Sequence, residues 1–256
     1  MRIPGLGRII FALSFVLLGA FGSLFPGFAQ AWPMAPKWMP WHDTVATGSA
    51  VILLAGAIFL LVPRTARPAS LGLAILLLLR MLLLHAQPII AHPLVEGVWE
   101  ELSESLIFVA GAWIIFSMSA REKKARASFG NVRAGQILFA LALPAIGLSH
   151  FFYLNLTAPL IPPWLPFHVS LAYFTGAAWI AAALAILSGV LARLAATLTA
   201  VMVSLFTVLV WVPMVIAAPT SPGNWSELCV SAAITGAAWA VAESFGGSSR
   251  ARNHLT

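Results

Sequence analysis

The sequence predicts an all-α polytopic membrane protein, a bundle of eight transmembrane helices built as two tandem four-helix repeats in the same orientation. Three observations predict it. First, 61% of the 256 residues are hydrophobic and 9% are charged, whereas about a quarter are charged in a soluble domain. Second, apolar runs that with their flanks reach the roughly 20 residues needed to cross a bilayer occur eight times. Third, the chain repeats itself at a spacing of 126 to 128 residues.

The runs follow in order: Ile9 to Phe25, Thr47 to Val62, Ala69 to Leu84 and Leu106 to Met118, then Gln136 to Leu154, Leu171 to Leu191, Ala195 to Ala217 and Val230 to Ala242. Between the first and second lies Pro36-Lys37-Trp38-Met39-Pro40-Trp41-His42, which returns as Pro162-Pro163-Trp164-Leu165-Pro166-Phe167-His168. Phe11-Ala12-Leu13 answers Phe139-Ala140-Leu141, and Thr47-Gly48 answers Thr175-Gly176. Arg67 answers Arg193, Trp99 answers Trp225, and Ala112-Trp113 answers Ala238-Trp239. Residues 1–120 therefore form one repeat, 121–134 a basic linker, and 135–256 the second repeat.

Charge sets the expected orientation. Arg2, Arg8, Arg64, Arg67, Arg121, Lys123, Lys124, Arg126, Arg133, Arg193, Arg250 and Arg252 lie on one set of loops, and the other set holds only Lys37. By the positive-inside rule both termini are cytoplasmic in an inner, plasma membrane. The net charge of +6 is thus topogenic and implies the lipid bilayer, not nucleic acid, as the partner. Arg2, Arg8, the first apolar run and Ala29-Gln30-Ala31 also fit a cleaved signal peptide, which would leave seven spans. The repeat argues that the first span is kept. The single Cys229 excludes an internal disulfide or Cys-x-x-Cys chemistry.

The second repeat resembles the DoxX-like membrane proteins. The residues that carry the likeness are Ser149-His150-Phe151-Phe152, Pro163-Trp164-Leu165-Pro166, Tyr173-Phe174-Thr175-Gly176 and Arg193-Leu194-Ala195-Ala196. The first repeat looks like a diverged copy, with Gly22-Ser23 near the place of His150. The resemblance implies a four-helix membrane unit. Its redox implication, a membrane part of a quinone-linked or oxidative-stress assembly, is analogy.

Titratable side chains outside the basic loops gather towards the outer half: His42, Asp43, His85, His92, Glu96, Glu100, Glu101, Glu104, His150, His168 and Glu227. Arg80 and Glu104 are the sharpest pair. Both are expected inside the bilayer, where a charge costs about 2.5–3.5 kcal/mol and seeks a partner. Both are absent from the second repeat, where Phe206 and Val230 stand. They are expected to form an ion pair. His92 and Glu96 have helical spacing, but no pattern of ligands supports a metal site there. Glu243, near the inner end of the last span, is read as a side chain that reaches the interface and has no further part.

The candidate ligand-binding residues are Arg80, His85, Glu104, His150 and His168. Histidine can hydrogen-bond a quinone carbonyl or ligate haem, and quinone is the favoured cofactor. The first functional reading is a membrane subunit of a redox system, with a protein partner that carries the redox chemistry this chain lacks. A small-molecule transporter or channel lined by Arg80 and Glu104 is an alternative. So is a scaffold or assembly factor docking a partner through Trp38, Trp41 and Trp164. No nucleotide or nucleophile motif points to a self-contained enzyme.

Overall fold

The computed structural model describes residues 5–24, 41–119 and 125–252, all helix and short connections without a strand. The expected features at 29–31, 36–40 and 121–124 lie outside the described residues. Among the described residues eight helices are long and apolar enough to cross a membrane, and the chain is an integral membrane protein. They are α1 (Leu6–Leu24), α2 (His42–Leu61), α3 (Ala66–Ala91), α4 (Glu96–Met118), α5 (Ala125–Phe152), α6 (His168–Ser188), α7 (Ala192–Phe206) and α8 (Pro222–Arg252). After α7 the chain continues through a π-helical stretch, Thr207–Trp211, and a last turn, Val212–Ala217. The cause of the π stretch is Pro213, which cannot donate to the carbonyl four residues back. The Val212 amide bonds Thr207 O instead, five residues back. Up-and-down connection puts Glu96, His168 and Pro222 at one end, the acidic end, and Arg64, Arg133 and Arg193 at the other, the basic end.

The two repeats are visible in backbone detail. Trp41 and Phe167 both precede their helices in the left-handed conformation, at φ 58° and 60°, which is uncommon and strained for bulky residues. Trp99 Nε1 donates to Pro93 O at 3.0 Å, and Trp225 Nε1 to Pro219 O at 2.9 Å. Ser49 Oγ donates to Ala46 O, and Thr175 Oγ1 to Ala172 O. This last match corrects one sequence echo. Thr47-Gly48 and Thr175-Gly176 are not structural equivalents, because α2 and α6 align at a spacing of 126 whereas α1 and α5 align at 128. Both helices meet their first helix in that register: Gly19 lies against Ala50 and Leu54, and Gly147 against Gly176 and Ile180.

The halves are not two closed bundles standing side by side. Along its length α1 packs against α2 and α8, and α5 packs against α6 and α4. Each first helix thus lies on the fourth helix of the other repeat, and α4 and α8 cross each other at the centre. Small residues make these crossings close. A Cβ built on Gly7 would stand 2.3 Å from Ala240 N, and its counterpart on Gly135 would stand 2.5 Å from Ile114 Cγ1. Gly111 and Ala237, themselves equivalents, meet at 2.7 Å from that built Cβ to the alanine Cβ. The pseudo-two-fold axis runs through this contact. In lipid, where tails are as apolar as leucine, such close packing supplies the drive that water supplies elsewhere. Each lobe is therefore walled by five helices, its own four and the fourth of the other repeat.

The basic end is tied by polar contacts both between the repeats and within the second. Glu243 Oε1 accepts from the Gly7 amide at 3.1 Å. Glu243 therefore has a structural part, satisfying one of the open amides at the start of α1 and opposing the helix dipole. Arg133 donates to Ile186 O and Leu187 O at 2.9 and 2.7 Å, closing the end of α6, and Gln136 donates to Ser244 Oγ at 2.8 Å. Glu243→Ala should lower stability by about 0.5–2 kcal/mol, read as an earlier midpoint in a denaturing-detergent titration. Glu243→Gln, which keeps an acceptor, should lose less. Equal midpoints for all three proteins would refute the capping role.

Candidate functional site

Arg80, His85 and Glu104 belong to the first lobe. Helix α3 runs on to Ala91 through Pro88, so Arg80 lies about 16 Å from its acidic end at 1.5 Å per residue. That is near the middle of the helix. The Pro88 ring falls in the last turns, where few backbone bonds remain to be lost. His85 is buried, and its Nε2 lies 2.8 Å from Ser105 Oγ on α4. That contact fixes the levels of α3 and α4. Glu104 stands near the height of His85, and Arg80 about 9 Å closer to the basic end.

The Arg80 guanidinium turns towards α2, where Nη1 donates to Ser49 Oγ. This hydrogen bond is to a hydroxyl of a neighbouring helix. Ser49 spends its own proton on Ala46 O at 2.8 Å, which leaves its oxygen free to accept. Arg80 Nε is buried without a partner among the described residues.

His150 belongs to the second lobe. Its Nδ1 lies 2.9 Å from Ile146 O. A carbonyl oxygen can only accept, so Nδ1 carries the proton and Nε2 keeps its lone pair. The ring stacks on Phe206 of α7, with centroids 6.5 Å apart and planes 29° from parallel. One helical turn deeper lies Trp179 on α6. It is 2% exposed, and its Nε1 has no partner among the described residues. Three other indoles differ: Trp99 and Trp225 donate to carbonyls, and Trp239 donates to Ser204 Oγ at 3.1 Å. A buried indole N–H without a partner is the exception in folded proteins. Sequence reasoning missed Trp179, since an indole within an apolar run carries no outward sign of being unsatisfied.

His168 stands apart from both groups. Its Nε2 donates to Pro162 O at 3.2 Å, bracing the loop that ends in the strained Phe167. At the acidic end Tyr153 Oη accepts from the Gly97 amide at 3.1 Å, joining α5 to the start of α4. Glu96, Glu101 and Glu227 stand close enough to Glu100 to interact with it electrostatically. No three histidine, cysteine or acidic residues among the described residues converge as metal ligands. The five expected site residues thus form no single cluster. Three are in the first lobe, His150 is in the second, and His168 is in a loop.

Comparison with protein-family models, with curated proteins and with solved structures gives no match. What stands on the fold alone is an integral membrane protein of eight helices, in two interlocked copies whose interiors carry different side chains.

Proposed function

We propose that the chain is the membrane subunit of a redox system and holds a quinone, or a similar apolar ligand bearing oxygen, in its second lobe. The observation that carries this reading is the unsatisfied Trp179 N–H on α6, the helix packed against His150, whose Nε2 keeps its lone pair. One group offers a donor and the other an acceptor, against the aromatic wall of Phe206. A hydroquinone carries both complements: its hydroxyl can donate to Nε2 while an oxygen accepts from the indole. Such a site binds mainly through apolar surface, with a few placed polar groups fixing orientation.

In this reading His85, with Ser105, and Glu104 handle protons in the first lobe, and His168 keeps the loop in place. Electrons pass to a protein partner, because this chain has a single, buried cysteine. The basic loops place both termini in the cytoplasm and the acidic end outside the plasma membrane. The two repeats are read as diverged DoxX-like units.

The test is quinone content of the gently purified protein, followed by titration with decylubiquinone. His150→Phe keeps a ring on Phe206 but removes the acceptor. It should weaken binding about tenfold, the equivalent of about 1.4 kcal/mol. Trp179→Phe should weaken it several-fold, as loss of one neutral hydrogen bond worth about 0.5–1.5 kcal/mol requires. A quinone-free wild-type protein that binds the probe no better than empty lipid discs do would end this reading.

A further inference from the structure

The two lobes invite a comparison at one matched position. Phe206 of the second lobe corresponds to Arg80 of the first, and His150 corresponds to Gly22. In the second lobe a phenyl ring stacks on an imidazole. In the first lobe the ring is replaced by a guanidinium, and Gly22, which is buried, stands where the imidazole would be. Two ring systems have given way to one cation and a hydrogen atom. The neighbouring Ser23 does not fill the place, because its hydroxyl turns back to Gly19 O.

The cation is held there by design of the surrounding groups. Ser49 is oriented by its bond to Ala46 O and presents its oxygen to Arg80 Nη1. Its counterpart Thr175 makes the same backward bond to Ala172 O, in the lobe where Phe206 stands in place of the cation. A guanidinium has five N–H donors and keeps its charge under all ordinary conditions. One hydroxyl uses one donor, and Nε remains buried and unpartnered. A neutral hydroxyl does not offset a full charge at mid-membrane, which costs about 2.5–3.5 kcal/mol even on lenient scales. His85, one and a half turns further along α3, faces Ser105 and adds a second basic group. Glu104 stands at the level of His85, towards the acidic end.

We propose that Arg80 is the binding group of an oxyanion site in the first lobe, taking a carboxylate or phosphate group near the middle of the membrane. The guanidinium fork recognises two oxygens of such a group side by side, with Nε as one of the two donors. The site is separate from that of the second lobe, and it stands whether or not that lobe holds a quinone.

The experiment uses the full chain in discs of phosphatidylcholine, with three probes: labelled laurate, labelled inorganic phosphate and labelled phosphatidylglycerol. At least one should bind saturably to the wild-type protein. Laurate identifies an acidic amphiphile as the source, phosphate a free anion and phosphatidylglycerol a lipid headgroup. Arg80→Gln should weaken that binding at least tenfold, and Arg80→Lys less, since it keeps the charge and loses the fork. Saturable binding of none of the probes overturns the proposal, as does unchanged affinity in Arg80→Gln. If Arg80→Gln does not fold, Ser49→Ala decides. It keeps the cation but frees it from its hydroxyl, so affinity should change at least twofold, and an unchanged affinity overturns the site.

Discussion

Gly236→Leu should leave little folded protein. A Cβ at Gly236 would lie 2.4 Å from Phe11 N and 2.6 Å from Phe11 Cα. These are backbone atoms of α1, so no side chain can swing aside. The helices must separate or the new residue must leave the seam. Overpacking costs typically 1–3 kcal/mol where side chains can adjust. Here the obstacle is a helix axis, and about 3 kcal/mol or more is expected. The loss propagates because α1 depends on this seam for its contact with α8. Recovery of a monodisperse peak in gel filtration, with the denaturing-detergent midpoint, measures it. Gly48→Ala and Gly72→Ala are the controls. Nothing lies within 4 Å of a Cβ built at either, and alanine in a helix is better than glycine by about 0.5–1 kcal/mol. If Gly236→Leu matched these controls, the close seam would be wrong.

Phe15→Ala should be the most damaging truncation in the core. The ring is fully buried, 4.7 Å from Phe11 and 5.3 Å from Phe108 in edge-to-face contact. It joins α1 to α4, which otherwise meet little. In water a truncation of this kind costs about 3–5 kcal/mol, part from transfer and part from the cavity. In a bilayer the transfer part largely vanishes, because the separated helix would bury the ring in lipid. The cavity part remains, at about 24 cal/mol per Å³, and a phenyl-sized void gives about 2–3 kcal/mol. Phe15→Leu, which fills most of the space, should lose less than half as much. A Phe15→Ala protein that unfolds at the wild-type midpoint would show that the lobes are not locked through this ring.

Much of this fold was legible because its signals are local. Each apolar run and each basic loop declares its own span, and the repeat confirms one half against the other. The interlocking of the halves was not legible, because Gly7 and Ala240 or Gly135 and Ile114 carry no mark of their partners. Glu243 illustrates the same limit: its role depends on an amide 236 positions away. The Arg80–Glu104 expectation was drawn from their joint absence in the second repeat. That absence holds; Arg80 donates to Ser49, whose ordinary spacing on an apolar helix gave no hint. Helix α3 also runs past Leu84, where its apolar run ends, to Ala91, which is why Arg80 sits near its middle. Among the candidate histidines, the sequence could mark the residue type. It could not tell a loop brace such as His168 from a ring with a bare nitrogen such as His150.

The seam between α1 and α8 bears on how the protein is made. Helix α1 divides its packing between α2, made soon after it, and α8, made much later. At roughly 5–20 residues per second, on the order of ten to fifty seconds separate the synthesis of Gly7 from that of Ala240. During that interval Phe11 lacks the Gly236 backbone it packs on, and α4 offers Gly111 to a helix not yet made. Closure of the lobes therefore waits for α8, and a nascent chain stalled before it would hold α1 to α7 without the helix that walls both lobes.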